Sequence, residues 1–199
     1  MSRPYAVNYY FDLVRAWNTR IDQVVAPVTE DHFVAAVESA LESAIRHIEG
    51  GAKHYQDHPE PALSYTLTIL LAAMGFQAAP EHYHKGHVDL VILSEYQPAW
   101  HCLGECKIYN YYAYHLKGLK QLLDYCCGAE RKVFLIEFFN KAGMYSHLEA
   151  LKKDMDAQKP HGQVEEGKPH PMKGGFETRH PHVSDATITV AHLGCNVAV

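Results

Sequence analysis

No stretch of this 199-residue chain holds the roughly 18 consecutive apolar residues that a membrane-spanning helix needs. The segment Met1-Ser2-Arg3-Pro4-Tyr5 lacks the apolar centre of a secretory signal. Both absences point to a cytoplasmic protein with no membrane partner. Cys-x-x-Cys pairs are missing, and the five cysteines (Cys102, Cys106, Cys126, Cys127, Cys195) are odd in number and lack disulfide-like spacing. They read as buried thiols in a reducing compartment. No internal repeat and no nucleotide-phosphate loop occurs, and the absence of a His-Glu-x-x-His pattern argues against a zinc hydrolase.

Basic charge is also scarce. Lys and Arg number 18 against 23 Asp and Glu, a net charge of −5, so affinity for free nucleic acid should be modest and salt-sensitive. The deficit is uneven, because residues 1–60 carry five basic and nine acidic side chains whereas residues 101–141 carry six and four. A local patch in the second block can still steer phosphates, and a basic partner can supply more charge.

What is present describes a globular domain with additions: 47% of residues are apolar and 21% charged. Tyr5–Thr19 has helical spacing (Val7, Tyr10, Phe11, Val14, Trp17), and a second helix runs from Thr29 to about Glu49, ended by Gly50-Gly51. Residues 1–52 are therefore expected to form an N-terminal helical extension that packs on the rest or builds a homo-oligomer. Residues 53–199 form the main domain. A helix (Pro59–Met74) precedes a three-stranded meander (Phe76–Tyr83, Val88–Leu93, Pro98–Tyr109), a helix (Tyr112–Cys127) and an apolar strand (Lys132–Phe139). The pattern is αβββαβ, an α/β fold. Gly143–Ala157 adds a helix with Tyr145, Leu148, Leu151 and Met155 as its apolar positions. A long loop rich in Pro, His and Gly is expected at about 158–186, and 187–194 should be a last strand on the sheet edge.

Asp89 heads the run Asp-Leu-Val-Ile-Leu, and Glu105-Cys106-Lys107 lies inside a second apolar run. Strand alternation puts Glu105 and Lys107 on one face and Cys106 on the other. If Ser94–Pro98 closes a hairpin, Asp89 comes close to both. Two carboxylates converging with a lysine call for a counter-ion, and Mg²⁺ or Mn²⁺ meets that need. On the next helix Leu116, Leu119, Leu123 and Cys126 read as the core face. Tyr114, Lys117, Gln121 and Tyr125 form a second stripe facing the cleft, where Gln121 would hold a metal water or phosphate and Lys117 the backbone of a nucleic acid. Tyr109, Tyr111, Tyr112 and Tyr114 border the same place, either to stack on unpaired bases or to pack. Among the 15 histidines, His82, His84 and His87 crowd the approach to Asp89. With His101 or Cys102 they offer zinc donors, although none of these histidines is spaced as a His-x-x-x-His pair. His87 either touches substrate or metal or merely packs.

Gly86-His87-Val88-Asp89, Glu105-Cys106-Lys107 and Gln121-Leu122-Leu123-Asp124-Tyr125 together resemble the PD-(D/E)XK nuclease superfamily, whose fold is restriction-endonuclease-like. The last segment is similar to the Gln-x-x-x-Tyr motif of its RecB-like and lambda-exonuclease-like branches. The resemblance covers roughly residues 58–140. It implies a mixed sheet flanked by helices around the αβββαβ core. Metal would be bound by Asp89, Glu105 and the backbone carbonyl of Cys106, joined by a glutamate early in the first core helix, with Glu60 the first choice and Glu81 the second. It also implies that Lys107 positions and activates water, that Gln121, Tyr125 and Lys117 meet the substrate, and that DNA is favoured over RNA, in prokaryotic defence, restriction or repair. The alternative is a non-catalytic scaffold or nucleic-acid-binding module of the same fold in a larger complex.

Overall fold

The apolar segment Lys132–Phe139 becomes the middle strand of a seven-stranded mixed sheet, and every residue of it after Lys132 is buried. The computed structural model describes residues 27, 29–83, 87–95 and 97–199; the expected helix Tyr5–Thr19 lies outside them. In chain order the elements are α1 (Glu30–Gly50), the single turn α2 (Ala52–Tyr55), α3 (Glu60–Ala73), β1 (Gln77–Tyr83), β2 (His87–Leu93), β3 (His101–Ile108), α4 (Tyr112–Tyr125), β4 (Lys132–Phe139), α5 (Met144–Gln158), a 3-10 turn at Pro160–Gly162, β5 (Lys168–Pro169), β6 (Phe176–Pro181) and β7 (Thr187–Asn196). The sheet order is β1-β2-β3-β4-β7-β6-β5. β4 pairs parallel with β3 and with β7, and the outer pairs are antiparallel. A strand between two parallel neighbours, with helices on both faces, is expected to be apolar, and β4 is so apart from Lys132 at its start and the buried Glu137.

Helices α1 and α3 cover one face. Phe33, Leu41, Ile45, Leu63 and Leu67 pack there with Leu90, Ile92, Phe134, Ile136, Phe138 and Leu193. Helices α4 and α5 cover the other, where Leu119, Leu122, Leu148 and Met155 meet Val91, Leu103, Val133, Leu135 and Val190. Thr29 caps α1 by accepting a hydrogen bond from the His32 N–H at 3.2 Å, and Glu30 and Asp31 favour its N-terminus. Its apolar stripe is spent on the sheet. α1 thus packs on the rest of the domain, one of the two outcomes expected for the N-terminal helices, and its apolar face is covered by the sheet.

The first and third strands of the meander are shorter than the pattern suggests, and the second begins one residue earlier, at His87. Pro98 and Ala99 form a turn before β3, with the Ser94 N–H donating to the Trp100 carbonyl at 3.0 Å. The region expected to be a long loop contains the 3-10 turn, β5 and β6. β6 hides its strand pattern among prolines and histidines, yet Phe176, Thr178 and His180 alternate inward. Because β6 pairs with β7, the last strand lies inside the sheet and not at its edge. On α5 the buried positions are Met144, Leu148, Leu151 and Met155, whereas Tyr145 is exposed. Among the described residues no helix is long and apolar enough to cross a membrane.

The α4/α5 face also buries a polar string. The Thr178 hydroxyl lies 2.8 Å from His180 Nε2 and 2.7 Å from His192 Nε2, and the His192 ring stacks on Phe176 at 4.4 Å. His192 also faces the His115 ring at 5.1 Å. His115 in turn meets Glu137 at 2.9 Å, at an angle that falls short of a hydrogen bond. His180 reaches the His161 carbonyl at 3.4 Å. Burial, with the neighbouring His115 and His180, holds His192 well below the usual histidine range, and burial lowers His180 to about 4.

Both rings stay neutral in the fold, while in the unfolded chain they take up protons near pH about 6.5. At these two sites the unfolded state then binds more protons, so their contribution to stability falls as pH drops from about 6.5 toward 4. Denaturant unfolding of the parent and of His180→Gln across that window isolates the His180 share: the variant, less stable at neutral pH, should close part of the gap to the parent as pH drops. A gap that does not change with pH would contradict the assignment.

Candidate functional site

β2 and β3 part early. Their ladder runs from Leu93↔His101 to Leu90↔Gly104, while β3 continues along β4 to Ile108↔Phe138. Beyond Gly104 the N–H groups of β3 that face β2 need other acceptors, since unpaired backbone donors are costly. Carboxylates from two different elements supply them. Asp89 Oδ2 accepts from the Cys106 N–H at 2.9 Å, and Glu60 Oε2, at the first turn of α3, accepts from the Ile108 N–H at 3.1 Å. A strand residue's N–H and C=O point to the same edge, so the Cys106 carbonyl opens into this fork.

Lys107 ties the group together. Its Nζ lies 2.6 Å from Glu105 Oε1, 3.2 Å from Glu60 Oε1 and 3.8 Å from Asp89 Oδ2. Glu105 is 2% exposed, and its Oε2 is buried without a hydrogen-bond partner. Burial and the Asp89 charge, joined by Glu60, push the Glu105 carboxyl up to about 7 against the pull of Lys107. Burial works against the Lys107 charge, but the hydrogen bond and charge of Glu105, with Asp89 and Glu60 behind it, hold the ammonium well above its ordinary range. Three carboxylates share one ammonium, which leaves an excess of negative charge in a half-buried fork.

Helix α4 forms the roof, and Gly118 sets its height. A Cβ at Gly118 would stand 3.1 Å from Lys107 Cγ and 3.3 Å from Leu135 Cδ1, so a side chain there would crowd Lys107. The buried stripe of α4 is His115, Gly118, Leu119 and Leu122; Leu116 and Leu123, expected as core, are only half-buried. The helix is turned so that His115 sits over Glu137, and Glu137 is the register partner of Lys107.

The structure brings together Asp89, Glu105, Cys106, Lys107 and Glu60. Tyr125 is half-buried close by, its hydroxyl raised by burial and then by the charges of Glu105 and Asp89. Tyr114 is raised by burial and then by Glu60, which puts it on the other flank. Gln121 is half-buried one turn before Tyr125, and Lys117 is exposed; among the described residues neither bonds to the cluster. The tyrosine group divides. Tyr109 stacks on Phe139 at 4.5 Å and Tyr112 has a buried hydroxyl, whereas Tyr111 is 55% exposed beside Tyr114 at 6.2 Å. Glu81 lies on β1, and the placement of its side chain and those of His82, His84 and His87 is outside the described set. His115, Gly118 and Glu137 were missed by the sequence reading. Their signal is a polar residue inside an apolar strand and a glycine inside a helix.

No family model, no curated protein and no solved structure matches the chain. The site therefore rests on its own geometry, which suits a hard cation: an orphaned carboxylate oxygen on Glu105, a carbonyl directed into the fork, and more negative than positive charge.

Removing the central cation without replacing it should be expensive. In EDTA, Lys107→Ala should lower unfolding free energy by about 3–5 kcal/mol, whereas the neutral Glu105→Gln should stay within about 1 kcal/mol of the parent. Thermal and urea unfolding would measure both, and a Lys107→Ala variant as stable as the parent would contradict the charge balance described above.

Proposed function

We propose that the protein is a metal-dependent phosphodiester hydrolase of the restriction-endonuclease-like kind, acting on DNA more readily than RNA. One observation carries this reading: Lys107 Nζ lies within 3.8 Å of three carboxylates from three separate elements, at a fork into which a strand carbonyl opens. Asp89, Glu105 and the Cys106 carbonyl, with Glu60 at the rim, would hold Mg²⁺ or Mn²⁺. When bound, the ion would polarise the scissile phosphate and its attacking water.

The residues of the chain divide the remaining work. Lys107 already donates to Glu105 and Glu60, so it serves as a proton-bearing donor that orients water and offsets charge building on the phosphate oxygens. Asp89 and Glu60 hold β3 by its free N–H groups and thereby fix the direction of Glu105 and Lys107. Tyr125 and Gln121 line the α4 side, where they would meet the phosphate chain. The exposed Tyr111 would offer a stacking surface to an unpaired base, which favours a single-stranded or frayed end.

A second reading has one observation behind it. The carboxylates are already engaged by backbone N–H groups and by Lys107, an arrangement that would also serve a non-catalytic module of this fold.

Cleavage assays distinguish the two readings. Glu105→Gln, which keeps the shape of the site, should lower kcat/KM by roughly a thousandfold with Mg²⁺ or Mn²⁺, and Lys107→Ala, assayed below its melting point, by at least as much. Metal-dependent cleavage that persists in both folded variants would remove the mechanism.

A further inference from the structure

At the opposite end of β3 from Lys107, about 20 Å along the strand, three different metal-ligating side chains converge. His101 Nε2, Cys127 Sγ and a Glu130 carboxylate oxygen all lie within 4.8 Å of one another. The His101 Nε2 to Glu130 Oε1 distance is 3.1 Å and the Cys127 Sγ to Glu130 Oε1 distance is 3.2 Å. A zinc ion with ligands at its usual bond lengths sets tetrahedral edges of about 3.3 Å between nitrogen and oxygen and about 3.5 Å between sulfur and oxygen. Those two edges stand within a few tenths of an ångström of that figure, and the third, from His101 Nε2 to Cys127 Sγ, is within 4.8 Å. We propose that this cluster is a zinc site, with His101, Cys127 and Glu130 as ligands and a water in the fourth position.

The surroundings are built for it. His101 Nδ1 is 3.2 Å from the Ala99 carbonyl, a contact that fixes the ring and directs Nε2 at the cluster. The Cys127 N–H is shared between Glu130 Oε1 at 3.1 Å and Oε2 at 3.0 Å, and the Gly128 N–H donates to Oε2 at 2.9 Å, which fixes the carboxylate with Oε1 on the side of His101 and Cys127. Gly128 has φ +89, and a Cβ there would strike Ser184 Oγ at 2.0 Å, so the loop carrying Cys127 is pinned from behind. His182 Nε2 adds a contact to the Cys126 carbonyl at 3.2 Å. Cys127 is half-buried while the other four cysteines are buried.

The chemistry balances. Zinc replaces the proton on His101 Nε2 and the proton on the Cys127 thiol, and neutral imidazole, thiolate and carboxylate exactly offset its charge in sum, with protons leaving to solvent. A second group, Glu38, His170 and Glu177, has similar spacing, but there the Lys132 ammonium lies 2.6 Å from Glu38 and 2.8 Å from Glu177 and holds the cation position itself. Cys102, which the sequence offered as an alternative to His101 for a zinc site with His82, His84 and His87, is fully buried on the other face of the sheet. At His101 zinc would clip the loop after α4 to the start of β3, independently of any chemistry at Lys107.

The test uses the full chain, metal-stripped and then titrated with Zn²⁺ or Co²⁺. One equivalent of zinc should bind and raise the melting temperature, and it should slow the reaction of Cys127 with a disulfide reagent by at least roughly tenfold. Cobalt should give a sulfur-to-metal charge-transfer band. That band should vanish in Cys127→Ala, and Glu130→Gln should weaken zinc binding by roughly a hundredfold, while Glu105→Gln leaves both unchanged. Circular dichroism verifies that each variant is folded. No stoichiometric uptake at micromolar free zinc, or a cobalt spectrum unaltered by Cys127→Ala, would overturn the proposal.

Discussion

The candidate site depends on the early parting of β2 and β3. Backbone donors cannot be left bare in a half-buried cleft, so each N–H of β3 beyond Gly104 that faces β2 must find an acceptor. The acceptors are charged, Asp89 from β2 and Glu60 from α3. Once they are in place beside Glu105, like charge accumulates and a cation becomes necessary. Lys107, two residues along the strand from Glu105 and therefore on the same face, meets part of that need. Gly118 keeps the roof helix at the height that Lys107 requires.

β3 is buried along nearly its whole length and is backed by β4, so it acts as a rigid bar with chemistry at both ends. One end presents the carboxylate fork. The other presents His101 to the loop that carries Cys127 and Glu130. Between them the strand is fixed by Leu103 and Cys106 in the two cores. A change in packing under β3 should therefore be felt at both ends, while a change in either cluster need not reach the other.

Strong apolar runs made much of this fold legible. β4, the meander and the helices around them follow from length and periodicity, and Asp89 and Lys107 meet because a short hairpin leaves little choice. Periodicity failed where polar residues are buried. The inner face of β6 is Phe176, Thr178 and His180, and with two of those three polar the segment reads as part of a long loop. The α4 face was misjudged because His115 and Gly118 turn inward, toward Glu137 and Lys107. His101 was singled out, but Glu130 is 29 residues further along the chain, and no local spacing reveals that contact.

The central claim is that the fork, loaded with a divalent ion, hydrolyses phosphodiester bonds. The most direct measurement incubates the purified protein with single-stranded DNA, duplex DNA and RNA, each with Mg²⁺, Mn²⁺ or EDTA. The account predicts cleavage with either ion and none in EDTA, with DNA cut faster than RNA. Intact substrates under every condition, from a folded protein, would contradict it.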